Sequence, residues 1–238
     1  MSRAYAIARR ELLSYFYSPI AYVALVIFLV VCGILFTQDF VPGQPAEMRT
    51  LFDWMVWLLV FIVPVLSMGL LAQEWSAGTI EPLMTAPVDE TDVIVGKFMG
   101  LVSFFIVLLV PTLVYVVLLR IFGHADPLPI CSGYLGILLV GALYIAIGLF
   151  CSSLTRSQVV AAVSAVAILF IITIVPWLAL AKAALPEFWR RVCEQCVFTR
   201  YADFSKGVIS LVNVAFFLAA TSVFLFVTVK VLESRRWK

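Results

Sequence analysis

The sequence has little charge and a single histidine. Charged residues make up 13% of its 238 residues, about half of what a soluble domain carries. The 16 basic residues nearly balance the 14 acidic ones, so a formal charge of +2 gives no field that favours nucleic acid. One histidine, His124, leaves little room for a histidine-based metal site or a Ser-His-Asp triad. We therefore assign no catalytic, metal-binding or cofactor-binding residue.

The sequence also lacks a loop that binds nucleotide. Such a loop reads Gly-x-x-x-x-Gly-Lys-Ser/Thr, and its backbone amides wrap the phosphates. The nearest match is Gly96-Lys97, but Thr91 stands where the first glycine belongs and Phe98 where the serine or threonine belongs. We do not expect the chain to be an enzyme, and any ATP hydrolysis must come from another chain.

Hydrophobic residues, by contrast, make up 64% of the chain, which predicts an integral membrane protein. Its charge-free stretches reach the roughly 20 residues that cross a hydrocarbon core, and they do not alternate as barrel strands do. Backbone groups in lipid must pair within their own segment, so we expect helices. The predicted fold is all-α, one transmembrane domain over 1–238 with six transmembrane helices at about 18–36, 55–72, 98–119, 132–155, 157–181 and 207–229.

The interiors of these spans contain no Asp, Glu, Lys, Arg or His. Since such groups usually mark proton or ion coupling, their absence argues against an ion-driven carrier. Pro64, Pro111 and Pro176 lie in mid-span, where each removes a backbone hydrogen bond and predicts a kink. Gly96 and Gly100 lie one turn apart, a spacing that favours the close approach of another helix.

Residues 1–17 predict a short amphipathic helix ahead of the first span. Its two faces are Tyr5, Ala8, Leu12, Tyr15 and Phe16 on one side and Arg3, Arg10 and Ser14 on the other. A basic amphipathic helix beside a span is typical of the membrane interface. The alternative is a plain extension of the first span into water.

Both termini are expected in the cytoplasm. That orientation puts nine Lys and Arg residues inside and seven outside, and the basic flanks of the first and last spans both favour the inside. The first apolar run is too long for a signal peptide and should remain as an anchor. We expect a multi-pass protein of the bacterial plasma (inner) membrane.

The connection 73–97, between the second and third spans, carries five acids and one lysine. Gly78 is expected to end the preceding helix, Thr79 to cap a short helix and Pro87 to end it. Candidate caps for the next helix are Asp89, Thr91 and Asp92. So acidic a segment on the cytoplasmic side suits a helix that docks on another protein, and on charge alone it suits a solvated turn equally well.

Four runs together resemble the ABC type-2 exporter permeases, over nearly the whole chain. They are Glu74-x-x-x-Gly78-Thr79-Ile80-Glu81-x-Leu83-x-x-x-Pro87 with Gly96-Lys97-Phe98, Gly148-Leu149-Phe150-Cys151-Ser152-Ser153-Leu154-Thr155-Arg156-Ser157-Gln158, Arg200-Tyr201-Ala202-Asp203-Phe204-Ser205-Lys206-Gly207-Val208-Ile209, and Glu233-Ser234-Arg235-Arg236-Trp237. The last two are most similar to the gliding-motility branch, with the nitrous-oxide-reductase maturation permease a close relative.

The resemblance implies an interfacial N-terminal helix, and a cytoplasmic coupling helix in 73–97 that sits in a groove of a separate ABC ATPase subunit. It also implies a second permease chain, identical or different. The ATPase-coupling residues would be Glu74, Gly78, Thr79, Glu81, Leu83 and Pro87, with a second cytoplasmic contact at Ser153, Thr155 and Gln158.

The segment 183–206 is too polar to span the membrane, yet it interleaves aromatic rings with arginines, as in the headgroup zone. The resemblance implies re-entrant helices in the outer leaflet, and a plain amphipathic loop is the alternative. Cys193 and Cys196 in this segment are a candidate disulfide in an oxidising compartment. Without a second cysteine pair, we do not expect a zinc site.

Three functions remain compatible with the sequence. The leading one is the permease subunit of an ABC exporter-type complex. The others are a scaffold or force-transmitting subunit that transports nothing, and an ATP-independent carrier. A membrane-embedded enzyme is the least favoured, because no catalytic constellation appears.

Overall fold

The computed structural model describes residues 3–39, 48–78, 89–122, 127–181 and 196–236. Within these ranges all regular structure is helical, with ten α-helices and one 3₁₀ turn, Val110–Thr112. The helices are α1 Arg3–Tyr17, α2 Pro19–Asp39, α3 Arg49–Ser67, α4 Gly69–Ala77, α5 Glu90–Leu109, α6 Leu113–Phe122, α7 Pro127–Leu154, α8 Gln158–Ala181, α9 Val197–Ser205 and α10 Leu211–Arg236.

Five helical segments in the described ranges are long and apolar enough to cross a membrane. They are Pro19–Gln38, Arg49–Ala77, Glu90–Ile121, Pro127–Leu154 and Leu211–Ser234. The sixth predicted span coincides with α8, whose described apolar part, Gln158–Thr173, is shorter. The all-helical architecture is confirmed, whereas the count of six spans and the interfacial and re-entrant positions stay predictions.

The helices extend beyond the predicted spans because polar residues continue them past the apolar runs. The second predicted span, 55–72, lies within α3 and α4, which together run from Arg49 to Ala77 with an interruption at Met68. The third, predicted to begin at 98, begins at Glu90 in α5. The segment 73–97 is helical at both ends, as predicted from the helix end at Gly78 and the candidate cap at Asp89.

Two of the three mid-span prolines coincide with local breaks. Pro64 lies in the last turn of α3, just before the interruption at Met68, and Pro111 lies in the 3₁₀ turn that separates α5 from α6. Pro176 is contained within α8. Proline has no N–H to donate to the preceding turn, which explains the break at Pro111. At Pro64 the next bond of the ladder is kept, because the Met68 N–H donates to the Pro64 carbonyl oxygen at 2.9 Å.

The helix α7 is the centre of the bundle, and α3, α4, α5, α8, α9 and α10 all pack against it. Val140, Tyr144 and Ile147 on α7 are fully buried. At Gly141 a β-carbon would collide with the Phe105 ring of α5, so this helix pair approaches more closely than a larger residue allows. The helix α2 lies at the periphery and packs mainly on α3.

The N-terminal helix α1 packs along α5 through part of the apolar face that the sequence predicted. Ala8 of that face is buried, and Leu12 and Tyr15 pack against the core. Tyr5 and Phe16 of the same face are 51% and 39% exposed. That these rings lie at headgroup depth stays a prediction.

Candidate functional site

The most unusual side chain in the described structure is Lys97, on α5. It is 1% exposed, and its Nζ donates to Glu11 Oε1 of α1 and to Glu74 Oε1 of α4, each at 2.8 Å. An isolated ammonium in a protein interior is strongly disfavoured, so a buried lysine requires counter-charges with good geometry. One ammonium group therefore holds three helices together.

Arg10 completes the charge balance at the surface of this group. Its Nη2 lies 3.3 Å from Glu11 Oε1 and 3.5 Å from Glu74 Oε1, and its side chain is 59% exposed. We call Arg10, Glu11, Glu74 and Lys97 the Lys97 cluster. It contains two cations and two carboxylates, and it is neutral as a whole.

Two glycines on α5 allow α1 to come close enough for the cluster to form. A β-carbon at Gly96 would lie 2.8 Å from the Ala4 carbonyl oxygen, and one at Gly100 would lie 2.7 Å from the Glu11 β-carbon. Neither approach is sterically acceptable for alanine without movement of α1. The predicted close approach at this Gly-x-x-x-Gly is confirmed, and the partner helix is α1.

Tyr15 gives α1 a second attachment, to α3. Its hydroxyl donates to the Leu66 carbonyl oxygen at 2.9 Å. Burial raises the pKa of Tyr15 well above its usual value, and the neighbouring Glu11 carboxylate raises it further. The phenol therefore keeps its proton at neutral pH and remains a hydrogen-bond donor.

The helix that carries Glu74 ends where the sequence predicted. Gly78 adopts a left-handed conformation, with φ of 68°, and its N–H donates to the Glu74 carbonyl oxygen. Only glycine adopts this conformation without a steric penalty, so it terminates α4. Asp89 occupies the N-cap position of α5, although its side chain makes no capping hydrogen bond. Of the predicted coupling residues, Thr79, Glu81, Leu83 and Pro87 lie outside the described residues.

The cluster therefore joins the two ends of the connection 79–88. Glu74 lies one turn before the end of α4, Lys97 lies two turns into α5, and the 2.8 Å contact links them. Glu11 adds the N-terminal helix to the same point. A displacement of 79–88 would act on α1, α4 and α5 together.

The residues of the second predicted contact region, at the end of α7, mostly form hydrogen bonds within the protein. Ser153 is buried and donates to the Phe150 carbonyl oxygen at 2.6 Å, and Thr155 Oγ1 accepts from the Ser157 N–H at 3.1 Å. Gln158, at the start of α8, is half-buried and lines a cavity beside α1 and α4. Contact of these three residues with an ATPase stays a prediction.

Three residues with long-range polar contacts in the structure escape prediction from the sequence. Lys97 reads only as the end of a loop, Glu11 belongs to neither predicted face of α1, and Ser152 is only part of a turn motif. Glu11 does carry a signal, because it is the one acid among residues 1–17. Ser152 carries none, since its role depends on a helix more than 80 residues earlier in the chain.

The opposite end of the bundle carries a different polar group, which we call the α9 network. Asn213 of α10 accepts from Arg200 Nη1 at 3.1 Å and donates to Asp203 Oδ2 at 2.8 Å. The Arg200 guanidinium also lies 4.4 Å from the centre of the Phe216 ring. Cys193 lies outside the described residues, so its pairing with Cys196 stays a prediction.

Residues 5–190 match the ABC-2 family transporter protein family, which is more than half of the chain. The chain belongs to this family. No curated protein matches it. Together with its apolar helices, the membership identifies a multi-pass integral membrane protein of the transporter type, whose membrane domain is that of a permease.

Proposed function

We propose that this ABC-2 protein is the permease subunit of an ABC exporter-type complex. A separate ATPase subunit hydrolyses ATP and works on the connection 79–88, while this chain performs no hydrolysis. The observation that carries the proposal is the Lys97 cluster, which ties both ends of this connection to α1 through contacts of 2.8 Å. Force applied to the connection would reach three helices at once.

The charge of the connection supports an exposed docking role. Glu81, Asp89, Glu90 and Asp92 are acids near or within it. An acidic segment attracts a basic groove on a partner and speeds association. Glu74 has a different role, because its carboxylate forms an ion pair with Lys97 within the permease.

The arrangement of the complex follows from the same proposal. Two permease chains, identical or different, would pair with two ATPase subunits in the bacterial inner membrane. Both termini and the connection 79–88 would face the cytoplasm, where ATP is available. The ending Glu233-Ser234-Arg235-Arg236-Trp237 favours the gliding-motility branch, beside the nitrous-oxide-reductase maturation permease.

Co-purification of the tagged permease with the ATPase encoded beside it tests this proposal. We expect the two to elute together, and a Glu81→Ala/Leu83→Ala variant to lose most of the bound ATPase while remaining folded. The matched control is Glu233→Ala/Leu211→Ala, which removes the same residue types from exposed positions on α10. The control should retain the ATPase.

Two results would overturn the proposal. If the Glu81→Ala/Leu83→Ala variant assembled and hydrolysed ATP like the unmodified complex, the connection would not be the coupling element. Transport by proteoliposomes that contain the permease and no ATPase would favour an ATP-independent carrier instead.

A further inference from the structure

The interruption between α3 and α4 is held by a side chain from another helix. Ser152, on α7, is fully buried, and its Oγ accepts from the Leu71 N–H and from the Ala72 N–H, each at 3.0 Å. The same hydroxyl donates to the Met68 carbonyl oxygen at 2.9 Å. Three backbone groups of one helix turn are thus satisfied by one serine.

This pattern places the hydroxyl within the backbone ladder. In a regular α-helix the N–H of Ala72 would bond the carbonyl of Met68, four residues earlier. Ser152 bonds both of these groups, and a side chain that inserts into the ladder is a known cause of helix kinks. The result is a joint between α3 and α4, which we define as Ser67, Met68 and Gly69.

The neighbouring sequence on both helices suits a joint. Pro64 removes one backbone donor from the last turn of α3, and Gly69, which opens α4, is a poor helix former. On α7, Gly148 lies one turn before Ser152, and a β-carbon there would collide with the Ser67 hydroxyl. The absence of that β-carbon lets α7 approach close enough for Ser152 to reach the joint.

An open pocket of about 110 Å³ lies beside the joint, lined by Met68, Gly69 and Gln73 together with Ser14, Tyr15 and Ser18. Close-packed helices can move only where space exists. This pocket is the space available to α4.

We propose that α4 is a lever that pivots at the joint on the Ser152 hydroxyl, which makes Ser152 a positioning residue for coupling. Movement of the connection 79–88 swings α4 while α3 stays in place. The Lys97 cluster links the moving end of the lever, at Glu74, to α1 and α5. This inference rests on the proposed function for its purpose, but the joint itself is a property of the permease alone.

Hydrogen exchange of the full-length permease in nanodiscs, followed by mass spectrometry, tests the joint. Ser152→Ala leaves the amides of Leu71 and Ala72 without the hydroxyl, and we expect them to exchange about tenfold faster or more. Exchange in residues 49–63 of α3 should not change. The matched control is Ser153→Ala, because Ser153 is also buried but bonds only within its own helix; it should leave α4 unchanged.

Equal exchange in Ser152→Ala and Ser153→Ala would overturn the inference, as would faster exchange throughout α3 and α4. Ser152→Thr keeps a hydroxyl and should restore much of the protection of α4, which separates loss of the hydroxyl from general misfolding. These measurements need no ATPase, so they stand even if the proposed function fails.

A second measurement tests the lever in the assembled complex. Trapping the ATPase with a non-hydrolysable ATP analogue should change exchange in residues 69–77 and leave 49–63 unchanged. A change that extends equally through α3 would overturn the lever and leave ATPase coupling intact. Failure of the ATPase to bind would instead overturn the proposed function.

Discussion

At one end of the bundle Lys97 joins α1, α4 and α5, whereas at the other end Asn213 joins the neighbouring helices α9 and α10. The partners of Lys97 lie 86 and 23 residues away in the chain, and those of Asn213 lie 13 and 10 residues away. Ser132 and Ser152 of α7 contact the two ends, which are therefore about 30 Å apart at 1.5 Å per residue.

This difference in sequence separation indicates different roles for the Lys97 cluster and the α9 network. The α9 network connects residues that are already close in the chain, so it stabilises a local turn and fixes one end of the bundle. The Lys97 cluster connects three separate helices, so its geometry depends on how α1, α4 and α5 lie relative to one another. We expect substitutions in the cluster to affect coupling and those in the α9 network to affect stability alone.

Replacing Lys97 with methionine should lower the stability of the protein more than any of the other substitutions. Lys97→Met leaves the Glu11 and Glu74 carboxylates facing each other without their buried cation, and breaking a buried pair in this way costs about 3 kcal/mol. Thermal unfolding in nanodiscs measures the loss. Adding Glu11→Gln and Glu74→Gln should restore part of it, because the charge then left in the cluster is Arg10, whose side chain is 59% exposed.

The control for this prediction is the exposed pair of Lys230 and Glu233, at 2.7 Å with side chains 54% and 38% exposed. Lys230→Met should change stability by less than about 1 kcal/mol, since exposed pairs contribute little. If Lys97→Met were as mild as Lys230→Met, the contrast between a buried cluster and ordinary surface pairs would fail.

Replacing Gly100 with alanine should separate α1 from α5 and should lower stability somewhat less than Lys97→Met. In Gly100→Ala the new β-carbon would lie 2.7 Å from that of Glu11, and overpacking of this kind costs about 1–3 kcal/mol. Limited proteolysis should cut α1 faster in the variant. Gly33→Ala, whose β-carbon meets only the end of the Tyr115 side chain at 3.2 Å, should not expose α1.

Replacing Asn213 with leucine should weaken the α9 end by about 2 kcal/mol, because Asp203 and Arg200 lose a buried hydrogen-bonding partner. We expect ATPase binding to survive. Ser222→Ala, which removes an exposed hydroxyl bonded to its own helix, should be neutral. Loss of ATPase binding in Asn213→Leu, at unchanged stability, would contradict the division of roles between the two ends.

Replacing Tyr201 with phenylalanine should have the smallest effect on the free energy of unfolding, and it should raise this free energy rather than lower it. The Tyr201 hydroxyl is buried without a hydrogen-bond partner among the described residues. Burial raises the pKa of Tyr201 well above its usual value, and the nearby Asp53 raises it further, so the group stays neutral. Removing an unsatisfied hydroxyl should raise stability by up to about 1 kcal/mol, and destabilisation in thermal unfolding would point to a partner there.

The sequence predicted the helical class, the helix break at Gly78 and the close approach at Gly96 and Gly100, because each depends on local composition or on one residue type. It did not predict the ion pairs of Lys97, since the burial of a charge depends on which helices meet it. Nor did it predict which side chains of α1 lie at Gly96, where the Ala4 carbonyl oxygen and the Ile7 side chain approach α5.

The rate of ATP hydrolysis by the reconstituted complex tests the role of the Lys97 cluster most directly. The permease with its ATPase would be compared with the ATPase alone, using the unmodified protein, Lys97→Arg and Lys97→Met at equal assembly. We expect the unmodified permease to change the rate, Lys97→Arg to retain much of that change and Lys97→Met to abolish it. A Lys97→Met complex that hydrolyses ATP as the unmodified complex does would contradict coupling through the cluster.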